Sequence, residues 1–480
     1  MSGERTRDVV ELPNAGRAAD RGLASLGLLM QLAGGAFAAT GGLIALLAFL
    51  VLDDLRGAPP GAAWWVPAAL LSCVARSLIH RAAGARLLYG GRKRADGSLA
   101  SPLDGVRRYI AIALGQTALL ALVGYAKLGM TAGEIAACSA GLALWPLVLA
   151  GILASGALAR FEAAIPHGED KGFEGASILM VVLGASGAAA SGAILLADLG
   201  AGYDEIADGP GIIIVGALGL LVLRSWFHVR AGLAGLRETS IDHSVELANH
   251  YAGFGVLSSL WFGGVLLLAA ISSRMSVWGM MLVAGLCWLM MMWPLIVRRF
   301  FRDRQFADLL AGGWPSLHRR APDAGLAGLG WLLVGHAALT ASLLAPQLIA
   351  GPGIAGDARW LASLAAGIGD GSPWWGAGVI ALEAWAGAAL LRMSAHHRII
   401  AVAYGATGAV VTFSLAWPIL RRAMELSVLG DRGERLLLSL PLIAIHLAIP
   451  VAAVMLATRA IAPTARARYR RGAARRARAA

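Results

Sequence analysis

Twelve separate stretches of this chain are each apolar for about the 20 residues that a helix needs to cross a bilayer. Their limits fall near 23–52, 62–80, 109–128, 135–159, 176–199, 211–228, 251–271, 277–297, 325–349, 374–391, 399–419 and 436–457. In hydrocarbon each backbone N–H and C=O must be satisfied without water, so runs of this length are helices. The sequence therefore predicts an all-α fold: a polytopic transmembrane helical bundle of about 12 spans. Charge supports this, since only 15% of the residues are charged, against about 25% in soluble domains. Gly is abundant, at 62 residues, as expected where spanning helices approach closely through small side chains.

The net charge of +12 raises nucleic acid as a partner, but the charges cluster at the ends of the apolar runs, which excludes that reading. Cys73, Cys138 and Cys287 all lie in apolar stretches and form neither a disulfide framework nor a metal motif. Residues 1–21 are polar and carry Arg5, Arg7, Arg17 and Arg21. The apolar run after them is too long for a cleavable signal, whose core is about 7–15 residues, so it is expected to be a retained span.

Lys and Arg set the orientation. With the N-terminus inside, Arg92-Lys93-Arg94 and Arg298-Arg299 fall on the cytoplasmic side and Asp204-Glu205 outside. The basic tail, 461–480, is then cytoplasmic and able to lie on anionic lipid. One connection breaks the pattern: 420–435 should be external yet holds Arg421, Arg422, Arg432 and Arg435. The expected location is the inner (cytoplasmic) membrane, with both termini inside.

The chain also repeats itself. Arg76 and His80 recur as Arg224 and His228, and Trp145-Pro146 recurs as Trp293-Pro294, each 148 residues later. Two features at one offset indicate a duplicated four-helix block. A more diverged third copy offers Arg392 and His396 at the same spacing, a Trp374-Trp375 pair matching Trp64-Trp65, a run from Arg398 to Gly405 matching Arg108 to Gly115, and Pro450 in the place of Pro146 and Pro294. Three tandem four-helix units follow: 22–162, 172–304 and 322–460. An even number of helices per unit makes them parallel repeats about an axis along the membrane normal. This layout resembles the pseudo-three-fold main subunits of haem–copper oxidases. The histidine pairs and His–Tyr motif of that family are absent, so its function is not carried over.

The three Arg–His pairs share a helix face within each pair. They read as snorkelling side chains that enforce orientation, as anion or lipid-headgroup sites, or as a His-based proton switch. Ionisable groups at mid-span are costlier and more telling. The third unit has three: His336, Glu383 and His446. Ala33 stands where His336 would align, and Leu142 and Met290 where His446 would. If the three converge, they can form a proton or ion relay, ligate a divalent metal, or hold a haem through the two histidines. Otherwise they act as hydrogen-bonding glue between helices, the role also expected of Gln31 and Gln116. Met290-Met291-Met292 reads as apolar filler, and Pro146, Pro294, Pro441 and Pro450 as kinks.

No phosphate-binding loop, HExxH, GxSxG or dinucleotide fingerprint is present, and no loop could hold an ATPase domain. The expectation is a secondary transporter or permease, not an enzyme, with a polar centre in the third unit and no resident cofactor. A non-catalytic membrane scaffold and a haem- or metal-bearing redox protein are the alternatives. The partners expected are the bilayer, its anionic lipids and a small solute or ion that the sequence does not specify.

Overall fold

The computed structural model describes residues 23–51, 62–89, 101–154, 173–200, 209–236, 241–272, 277–301, 323–350, 373–391, 396–425 and 446–455. Among these the chain forms twelve helices. They are α1 (Leu23–Val51), α2 (Ala62–Tyr89), α3 (Pro102–Leu128), α4 (Ala132–Ala154), α5 (Phe173–Gly200), α6 (Gly209–Leu236), α7 (Ile241–Ser272), α8 (Val277–Phe301), α9 (Asp323–Ala350), α10 (Pro373–Leu391), α11 (His397–Glu425) and α12 (His446–Met455). Five carry segments long and apolar enough to cross a membrane: Ser25–Leu46, Leu103–Leu128, Ala132–Ala154, Gly328–Ala345 and Trp374–Leu391. That number marks a multi-pass membrane-embedded protein. The outward faces agree, with Leu257, Leu268, Trp226 and Val410 all strongly exposed. In water such a surface would be an aggregation liability; lipid removes that cost.

Several helices outrun their apolar windows. α2 continues to Tyr89, α6 to Leu236, and α7 begins at Ile241. Hydropathy stops at the membrane boundary, but Ala, Leu and Arg keep the backbone helical beyond it. α11 likewise runs to Glu425, so Arg421 and Arg422 lie on its last turns and not in a loop. The N-terminal segment 1–21, the tail 461–480 and Arg392 lie outside the described residues.

Local chemistry fixes the tightest connection, between α3 and α4. Ser101 caps α3 by accepting from the Leu103 N–H at 3.2 Å, with Pro102 as the first helical residue. Gly129 ends that helix at φ 63°, a conformation that favours glycine. Two residues later Thr131 and Glu134 form a reciprocal box: the Thr131 N–H donates to Glu134 Oε2 at 2.8 Å, and the Glu134 N–H to Thr131 Oγ1 at 3.3 Å.

Glycines set the helix pairs. A Cβ on Gly84 would come within 2.6 Å of the Gly27 carbonyl oxygen, so α1 and α2 touch backbone to backbone. Gly232 meets the Ser177 carbonyl in the same way, joining α5 to α6, and Gly387 meets that of Gly330, joining α9 to α10. α1, α5 and α9 also touch one another, and α4 packs on α9, α8 on α1 and α11 on α5. The largest buried apolar cluster lies among them, with Leu28 of α1, Ile178 and Leu179 of α5, and Leu329 and Leu333 of α9.

Candidate functional site

The glycine contacts give a register for comparing the helix pairs. Gly84, Gly232 and Gly387 occupy one position on α2, α6 and α10. Four residues before each lie His80, His228 and Glu383, and eight before lie Arg76, Arg224 and Val379. Packing thus matches Glu383, and not His396, with the two histidines. His396 is an exposed turn residue ahead of α11.

The next helices agree. His80 lies against Tyr109, with ring centroids 4.6 Å apart, and His228 stacks on Tyr251 at 4.0 Å. Glu383 accepts from the Tyr404 hydroxyl at 2.8 Å. A hydroxyl follows each tyrosine by eight residues: Thr117, Ser259 and Thr412. Gly255 sits on the Pro294 ring and Gly408 on that of Pro450, so α8 and α12 share a register too. Tyr109 therefore corresponds to Tyr404, whereas the pairing of the 108–115 run with 398–405 would have set it against Ile399.

In α2 and α6 the Arg–His pairs face inward. Arg76 donates to the Leu142 carbonyl at 2.5 Å and to Thr117 Oγ1 at 3.4 Å. Arg224 donates to the Met290 carbonyl at 2.5 Å and to Ser259 Oγ at 2.8 Å. Each of these carbonyls lies four residues before a proline, Pro146 or Pro294, which has no N–H to give it. The guanidinium supplies the missing donor. Trp145 Nε1 donates to His80 Nε2 at 2.9 Å, and Trp293 Nε1 to His228 Nε2 at 2.8 Å. The repeated Trp-Pro pair thus has a double role: Pro frees a carbonyl for Arg, and Trp bonds the adjacent His.

The third set differs in chemistry. His336 of α9 and Glu383 of α10 are joined at 2.8 Å, His336 Nδ1 to Glu383 Oε1. Tyr404 of α11 donates to the same oxygen. The His446 ring of α12 lies 5.2 Å from that of His336. Glu383 is 2% exposed and Tyr404 1%. These four side chains, with Thr340, Val379, Thr412 and Pro450, line a small open-sided cavity of about 30 Å³. Sequence reasoning singled out three of the four polar groups, and the structure brings all three together. It missed Tyr404 and Thr412. The signal was the Tyr–hydroxyl spacing of eight, present three times in the chain.

A buried carboxyl group is tolerable here because it is hydrogen-bonded to both His336 and Tyr404. Among the described residues both of its hydrogen bonds fall on Oε1, and the Glu383 side chain also lines the cavity. The arrangement can hold a proton between Glu383 and His336, pass it toward His446, or balance one cation. Among the described residues no group of three His, Cys, Asp or Glu side chains has metal-holding geometry. Of the remaining polar candidates, Gln116 donates to Ser72 Oγ at 2.8 Å, joining α3 to α2, while Gln31 is buried in α1. No protein-family model, no curated protein and no solved structure matches the chain.

Proposed function

We propose that the chain is a secondary transporter of the inner membrane, with twelve spans in three parallel four-helix units and both termini cytoplasmic. Glu383, His336 and His446 form its proton-coupled centre. The observation that carries this reading is a buried Glu–His–Tyr cluster opening onto a cavity inside an apolar bundle. Helix glue alone needs no cavity, and ionisable groups at this depth commonly mark ion or proton pathways. The shared glycine register and the matched Tyr–hydroxyl spacing support the three-unit layout.

The test is proton flux into proteoliposomes that hold a pH-sensitive dye, under an imposed pH gradient. Wild-type protein dissipates the gradient faster than empty vesicles. Glu383→Gln, inserted to the same level, slows this at least about tenfold, which corresponds to about 1.4 kcal/mol of barrier. A Gln variant with the wild-type rate ends the proposal. A wild type no faster than empty vesicles does so as well, and favours the scaffold role.

A further inference from the structure

The cavity in the third unit lies where the first two units place a guanidinium. Arg76 reaches between the Thr117 hydroxyl of α3 and the fourth helix of its unit, and Arg224 does the same against Ser259. At the matching register the third unit has Val379, which ends in two methyl groups. The hydroxyl is retained as Thr412, and the proline of the last helix is retained as Pro450, packed on Gly408. All three residues line the cavity. The other change is one of charge. Where the first two units put an imidazole beside the arginine, His80 and His228, the third puts the carboxylate of Glu383. The guanidinium is gone, and a carboxyl group stands next to the position it occupies in the other two.

The geometry points to a binding site for a small organic cation, a guanidinium or alkylammonium headgroup, seated where Arg76 and Arg224 hold theirs. This deepens the transporter reading and rests on it for its biological meaning, but binding is separable from flux. The ligand's N–H groups meet the Thr412 hydroxyl and the Glu383 carboxyl group, as the arginine N–H groups meet Thr117 and Ser259. The titratable groups facing Glu383 are His336 from α9, Tyr404 from α11 and His446 from α12. One carboxylate balances one positive charge, either a proton shared with His336 or the bound headgroup. The site therefore holds one positive charge at a time.

The experiment is calorimetric titration of the full chain in detergent with methylguanidinium and with methylammonium. Wild type binds one of them with a dissociation constant of about 1 mM or tighter. Val379→Arg refills the site with a tethered guanidinium, and Glu383→Gln removes the counter-charge. Each weakens binding at least about tenfold, while thermal unfolding confirms that the variant is folded. If Val379→Arg does not fold, Glu383→Gln and Thr412→Val decide. No binding to wild type overturns the inference, as does wild-type affinity in Val379→Arg or in Glu383→Gln. Cation binding without flux in liposomes leaves this site standing and removes the transporter reading. Proton flux without cation binding does the reverse.

Discussion

Replacing Arg224 with Met tests the link between arginine and proline, and its cost can be worked from the structure. The substitution deletes the bond to the Ser259 hydroxyl at 2.8 Å and the bond to the Met290 carbonyl at 2.5 Å. Ser259 keeps a partner, because it donates to the Gly255 carbonyl at 2.7 Å. That loss is then an ordinary bond, about 1 kcal/mol. The Met290 carbonyl has no helical donor, since residue 294 is proline. Leaving it unpaired in a dry interior costs a further 2 kcal/mol or so. The sum is about 3 kcal/mol, less whatever is recovered by no longer burying a charge. Pro294→Ala returns an N–H to that carbonyl, so the same arginine deletion costs only about 1 kcal/mol in the alanine background. A double-mutant cycle measured by reversible unfolding in mixed detergent micelles gives a coupling of about 2 kcal/mol between Arg224 and Pro294. Additivity within about 0.5 kcal/mol refutes the reasoning, because a guanidinium that merely snorkels toward headgroups has no stake in the proline.

Gly84→Val forces α1 and α2 apart at their backbone contact and lowers stability by about 3 kcal/mol, in the range of overpacked sites; unfolding in the same micelles measures it, and a loss below about 0.5 kcal/mol would show that the helices are not this close. Tyr404→Phe removes a donor to Glu383 and should shift the pH at which proton flux is half-maximal, while Tyr109→Phe, which changes the tyrosine packed on His80, leaves that profile unmoved.

What the sequence revealed and concealed follows from range. Helices were readable because lipid demands apolar length within one contiguous segment, a property visible in a window of about 20 residues. His336, Glu383 and His446 stood out because each is an ionisable group deep in such a window. The register that α10 shares with α2 and α6 was not readable. Arg392 and His396 reproduce the spacing of Arg76 and His80, but spacing of four recurs on many helices, and contact of Gly387 with Gly330 sets Glu383 at that register instead. Tyr404 was overlooked because a single tyrosine in an apolar helix looks like packing until its hydroxyl is placed 2.8 Å from a carboxylate. The Arg–carbonyl–Pro arrangement lay in the sequence as an i−4 rule, yet its donor comes from a helix 66 residues away.

Infrared difference spectroscopy of the folded protein across a pH titration addresses the buried carboxyl itself. A relay through Glu383 predicts a carboxylic-acid band that grows as pH falls, moves when His336 is replaced by Ala, and is missing from Glu383→Gln. A spectrum that is flat across the titration, or a band that survives in Glu383→Gln, would mean that this side chain exchanges no proton and serves only to tie α9, α10 and α11 together.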